Sequence, residues 1–108
     1  MASVPGRTGP LVLAASTPQT LVPDPSGSGA QHVVPSRGIV FVNRDSVAHT
    51  IQLRIGSAVL DTFQVAASTT EYWAGIAVIL NGETMVVELT TAITGTAPNI
   101  TASYMRTD

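Results

Sequence analysis

The chain has 108 residues, is 44% hydrophobic and only 11% charged, and carries a net charge of −2; ordinary soluble domains hold roughly 25% charged residues. That length allows one domain. The basic residues are all Arg and stand singly at Arg7, Arg37, Arg44, Arg54 and Arg106, so the basic patch that nucleic-acid binding needs is missing, and the absence of Cys excludes a disulfide framework and Cys-based zinc sites.

Residues 1–37 hold every proline except Pro98. Proline cannot donate to a sheet ladder, and it pushes the preceding residue toward extended backbone. The expectation is an extended N-terminal arm over 1–37, with Pro23 to Gly29 as its flexible turn and Leu11 to Ala15 as the one piece able to pair. Such a segment is either a disordered leader or an arm that docks on a neighbouring subunit with Leu11, Val12, Leu13, Leu21 and Val22 as its apolar anchors. Met1 to Arg7 lack the basic and then apolar pattern of a cleavable signal. Apolar runs such as Ile39–Val42 and Ile76–Leu80 fall far short of the ~20 residues of a membrane helix. A soluble chain with no membrane contact, made in a reducing cytosol, is expected.

From residue 38 to 108 strand signals are dense. Ile39-Val40-Phe41-Val42 is unbroken and reads as a central strand covered on both faces. Asn43-Arg44-Asp45-Ser46 is a turn by composition. His49, Ile51, Leu53 and Ile55 alternate with Thr50, Gln52 and Arg54, giving one buried and one wet face. Gly56-Ser57 turns the chain into Val59–Val65, where Val59, Phe63 and Val65 share a face with an out-of-place Asp61. Tyr72–Leu80 reads as one strand bent at Gly75. Asn81-Gly82 has the composition of a type I′ hairpin turn. Met85–Leu89 alternates, and after a loop through Thr94–Pro98 the last strand runs Asn99–Arg106. About seven strands in this pattern specify an all-β fold, a small antiparallel sandwich or barrel.

Residues suited to chemistry are few. His49 with Asp45 and His32 lacks any metal-ligand spacing, so the expectation is a satisfied histidine and no metal. Ser46, His49 and Asp45 supply the residue types of a triad, but a triad is a matter of geometry; a polar turn is the simpler reading. No phosphate loop is present. No catalytic residue and no cofactor are therefore expected. Tyr72 and Trp73 are neighbours on one strand, so one should be buried and the other exposed, either as an interface aromatic or as a rim residue.

The phrase from Val42 to Leu53, a strand ending in an Asn-x-Asp turn and resuming at Ala48-His49-Thr50, resembles one common in small virion proteins of tailed bacteriophages. Val65–Glu71, Val78–Thr84 and Asn99–Tyr104 fit the same pattern. This resemblance implies a non-enzymatic structural component of the particle. A capsid decoration (cement) protein is its first form: a homo-oligomer, with a trimer favoured, seated on the major capsid protein at the head surface. The alternatives are a ring-forming head–tail connector or tail component, or a carbohydrate- or receptor-binding sandwich using Tyr72, Trp73 or Tyr104.

Overall fold

A computed structural model describes residues 3–108, which form ten strands and, among the described residues, no helix. The strands are β1 (Ser3–Val12), β2 (Gln19–Val22), β3 (Gln31–Val34), β4 (Ile39–Asn43), β5 (His49–Ile55), β6 (Ala58–Val65), β7 (Thr69–Trp73), β8 (Ala77–Leu80), β9 (Met85–Leu89) and β10 (Asn99–Thr107). They make two antiparallel sheets, a sandwich of the kind the alternating pattern demands.

The pairing is nested. From the Gly56-Ser57 turn outward, β5 pairs β6, β4 pairs β7, β3 pairs β8, β2 pairs β9 and β1 pairs β10. The chain is thus one long hairpin, rolled so that its ladders fall into two sheets. Two lateral contacts hold the roll: β9 on β5, and β10 on both β3 and β4. A strand has two edges, and β1 takes one edge of β10 from Val12 to Ser3. β4 and β3 must therefore share the other, with β4 along Asn99–Ala102 and β3 along Met105–Thr107. The six-stranded sheet is physically four rows: β1, β10, β3 with β4, and β8 with β7. The second sheet has the order β2-β9-β5-β6. Two four-row sheets from one rolled hairpin constitute a jelly roll.

The row break at Pro35–Gly38 is tied on both sides. Gly38 N donates to Pro35 O at 2.9 Å, Ser103 N to Gly38 O at 2.8 Å, and Arg37 N to Trp73 O at 2.9 Å. Pairing on β10 therefore resumes beyond the jog with the register shifted, from Met105 opposite Val33 to Ala102 opposite Ile39.

Alternate residues of the facing rows meet in the core. Ile39, Phe41, Ile79, Ile100 and Ala102 come from the first sheet, and Ile51, Leu53, Met85, Val87 and Leu89 from the second.

Several expectations are corrected here. Residues 3–34 are not an arm. They supply β1, β2 and β3, and Leu13, Leu21, Val22 and Val34 are buried in this chain's own core; residues 1 and 2 of the expected arm lie outside the described residues. The prolines misled for a physical reason. β1 pairs with β10 alone, so its outer edge has no ladder for Pro5 to break, and Pro10 falls in the register shift between Thr8 and Leu11. Gly9 is required in that bulge: its φ is 111°, and a Cβ there would lie 2.6 Å from Ile100 O.

β4 is covered on one face only, since Val40 and Val42 are half-buried while Ile39 and Phe41 are fully buried. Tyr72–Leu80 is two strands, β7 and β8, separated at residues 74–76. Asn81-Gly82 joins strands of different sheets rather than a hairpin. Gly82 alone is left-handed (φ 89°), and Glu83 N donates to Leu80 O at 2.9 Å, the pattern of a type II turn. The actual two-residue hairpin loop is Gly56-Ser57, with Gly56 at φ 59° between paired Ile55 and Ala58.

Candidate functional site

The structure disperses the expected anchors. Leu13, Leu21 and Val22 are fully interior, Leu11 is half-buried against the core, and Val12 alone projects into solvent, 64% exposed. Tyr72 and Trp73 do face opposite ways. Tyr72 stands on the outer face, with the Arg37 guanidinium 4.9 Å from its ring centre. Trp73 packs on the core edge and donates its Nε1 to Asp61 Oδ2 at 2.9 Å.

That bond accounts for Asp61. It stands opposite Leu53 on the inner side, and the register shift beyond it sets Val59 opposite outward-facing Arg54. Asp61 thus serves as a cross-sheet acceptor at the open edge between β6 and β7. Val59 consequently leaves the face it was expected to share with Phe63 and Val65.

The densest polar constellation lies between two inter-sheet loops. Asp45, 1% exposed, accepts from Ser46 N (2.9 Å), Thr94 Oγ1 (2.9 Å), Gly95 N (2.9 Å) and Thr96 N (3.3 Å) on Oδ1. Its Oδ2 accepts from Thr94 N at 3.0 Å and pairs with His49 Nε2 at 2.8 Å. These donors, the Thr94 amide first and His49 next, hold the Asp45 carboxyl well below the ordinary carboxylate range, because each stabilises the ionised form. His49 is wholly buried, and its Nδ1 lies 2.6 Å from Thr91 Oγ1. With Nε2 protonated toward Asp45, Nδ1 accepts from the threonine hydroxyl, whose oxygen in turn accepts from Thr50 N at 3.2 Å. Asn43 completes the knot, donating to the carbonyls of Val47 (3.0 Å), Val65 (3.2 Å) and Ala66 (3.1 Å).

Every polar atom in this cluster has a partner, and no buried side-chain nitrogen or oxygen among the described residues lacks one. Its chemistry is attachment: the β4–β5 loop is bolted to the β9–β10 loop. Ser46, the hydroxyl in the triad considered from sequence, is not brought to His49; its Oγ lies 3.2 Å from Thr94 Oγ1. Sequence reasoning missed Thr91 and Thr94. They sit more than forty residues away in a Thr/Gly-rich stretch that reads as ordinary loop.

His32 takes other partners. Its Nδ1 lies 2.8 Å from Pro23 O, and its ring packs on Tyr104 with centroids 4.7 Å apart. The two histidines therefore do not converge, and no group of three His, Cys, Asp or Glu suited to a metal ion occurs among the described residues. Nearby, Asp24 accepts from Ser26 N (2.8 Å) and Gly82 N (2.9 Å), which lowers its pKa, while Arg106 reaches Pro25 O. These bonds tie the β2–β3 loop to the β8–β9 turn.

The two outer faces differ sharply. On the second sheet the outward positions are mostly polar: Thr50, Gln52, Thr62 and Gln64, with Arg54 bonded to Glu88 at 3.0 Å and to Gln52 at 2.9 Å, while Val59 and Val86 are the apolar exceptions. On the first sheet, Val78, Val33, Met105 and Pro5 stand side by side across all four rows, in register. Leu80, Val40, Val42 and Val12 share that face, and Arg7 is the one charged residue among its outward strand positions. Beside the row, Pro5, Arg7, Pro35, Ser103 and Met105 line a shallow groove of about 480 Å³. This face is the best candidate for contact with another macromolecule. The sequence reading missed it because outward direction depends on a register that no local pattern reveals.

Compared with known proteins, the chain matches no protein family, no curated protein and no solved structure. The fold and its surfaces therefore define a class only, an all-β jelly-roll sandwich.

Proposed function

We propose that this protein is a non-enzymatic structural component of a tailed-phage virion, most simply a capsid decoration protein that seats on the major capsid protein at the head surface and acts as a homo-oligomer. The observation that carries the reading is the outer face of the six-stranded sheet. It carries few charges, Arg7 on β1 and Arg37 stacked on Tyr72, on a molecule whose other outer face is mostly polar and ion-paired. Exposed apolar side chains such as Val78 (44%), Leu80 (51%) and Met105 (40%) cost solubility unless covered. Covered by a second copy they join subunits, and joined subunits hold a shell through several modest contacts at once.

The groups that suit chemistry are engaged in holding loops, which fits a mechanical role. Jelly rolls recur in viral capsid proteins, and that supports the reading by analogy of fold alone. Contact between copies falls to a sheet face, since the segment expected to reach across as an arm is part of the sandwich.

The test is co-sedimentation with heads assembled without this protein, across a concentration series. Saturable binding at a fixed copy number per shell, with raised resistance of the shell to heat, is expected. Absence of binding to heads, or binding to isolated tails and connectors instead, would overturn the head-surface assignment.

A further inference from the structure

We propose that the outer face of the six-stranded sheet is a self-association surface, and that its occupant is a second copy of this chain related by a two-fold axis running parallel to the strands. The inference rests on the virion reading for its purpose, but its test contains no shell.

The argument starts from register. Val78 on β8, Val33 on β3, Met105 on β10 and Pro5 on β1 lie opposite one another in sequence across the four rows. A two-fold axis in the plane of the face, midway between the second and third rows, exchanges the outer rows and the inner rows. Val78 of one copy then lies over the partner's Pro5, and Val33 over the partner's Met105. Leu80, opposite Gln31, comes over the partner's Ser3.

Shape agrees with this exchange. The β8 side presents Ile76, Val78 and Leu80, among the exposed large hydrophobics of the molecule. The β1 side holds the shallow groove lined by Pro5, Arg7, Pro35, Ser103 and Met105. The two-fold operation sets each copy's exposed β8 side chains over the other's groove, the self-matching that an isologous interface requires. It also leaves the two Arg7 side chains on opposite flanks of the pair, so like charges do not meet.

Area agrees as well. Four rows about 4.8 Å apart and about nine residues of ~3.3 Å each give roughly 570 Å² in plan. A pair therefore buries about 1,100 Å² before side-chain relief adds to it, at the level of about 1,000 Å² that a specific interface clears. Two sheets so stacked continue the packing of the sandwich interior outward, with strand directions within about 30° of each other. The pair is two-fold rather than the trimer that the phage resemblance favours, because the exposed β8 side chains and the groove lie on one face.

Sedimentation equilibrium of the purified chain tests this without capsids. The expected mass is twice 11.2 kDa at about 100 μM, where a micromolar interface is nearly saturated. Val78→Glu and, separately, Met105→Glu should weaken the pair at least tenfold while near-UV circular dichroism and melting keep a native profile, since both side chains are exposed. Thr62→Glu, on the other outer face, should leave the mass unchanged. Pro5→Lys should also dissociate the pair, and combining it with Val78→Glu in one chain should restore the dimer, because the axis brings those positions together. A monomer or a trimer at about 100 μM, or a dimer indifferent to both glutamate substitutions, would overturn the proposal. A monomer that still saturates heads would do so while sparing the decoration reading; a dimer that ignores heads would do the reverse.

Discussion

Leu21→Ala distinguishes a docking arm from an integral strand more sharply than any deletion. Leu21 lies on β2, the short edge strand of the second sheet, and its side chain is wholly buried in the core cluster. Truncating a fully buried leucine costs about 2.7–5.0 kcal/mol, more where the cavity cannot collapse. β2 is an edge strand four residues long, paired only with β9, so it can settle inward and the lower half of that range applies, about 3 kcal/mol. Against a total stability of about 5–15 kcal/mol this leaves a folded variant melting roughly 10–20 °C lower. Urea unfolding of wild type and variant, at protein concentrations about fiftyfold apart, is the assay; with m near 1–1.5 kcal/mol/M for a small domain the midpoint should fall by about 2–3 M. Because Leu21 packs within its own chain, the loss should be the same at both concentrations. Val59→Ala, 52% exposed on the other outer face, is the internal control and should cost under about 0.5 kcal/mol. A Leu21→Ala loss under about 0.5 kcal/mol at dilution, or one that appears only at high concentration, would refute the core placement and reinstate the arm.

Deleting residues 1–34 should leave no folded core, since it removes three strands and the buried Leu13, Leu21, Val22 and Val34; a cooperative melt of the remaining chain would contradict the nested pairing. Val40→Asp should fold, costing about 1–2 kcal/mol at its half-buried outward position, whereas Phe41→Ala beside it should cost about 3–5 kcal/mol; paired denaturant curves check the contrast. Asp45 has a folded pKa held below its unfolded value, so its contribution is complete above the unfolded carboxylate value of about 3.9 and fades as pH falls below it. Stability measured from pH 7 to 2 should therefore decline below about pH 4, and Asp45→Asn should start lower and decline less steeply; an unchanged acid slope would detach Asp45 from the effect. His49→Ala should lower the melting temperature and raise hydrogen exchange in the β4–β5 and β9–β10 loops together, because it unbolts one from the other, and exchange confined to one loop would contradict that coupling.

The sequence by itself determined most of the strands after residue 38, with β7 and β8, read as one strand over Tyr72–Leu80, the exception. Period-two alternation in 49–55, 85–89 and 99–106 is a local property, set by which side of a pleated backbone each residue faces, and it places Ile51, Leu53, Val87, Leu89, Ile100 and Ala102 in a core without knowledge of partners. It also named His49 as a satisfied histidine and separated Tyr72 from Trp73. Only the tertiary structure decided the partners. Ser3 pairs with Thr107 and Gln19 with Val87, separations no local pattern encodes. The prolines of 1–37 therefore signalled an arm, when the edge position of β1 and the loops between β1, β2, β3 and β4 accommodate them. The Asp45 clamp was invisible for the same reason: its donors Thr94, Gly95 and Thr96 lie in a distant loop. So was the apolar row of Val78, Val33, Met105 and Pro5, which becomes a surface only when a rolled hairpin brings four distant segments into register. Strand character is decided by neighbours along the chain, while pairing, polar satisfaction and exposed surface are decided by contacts across it.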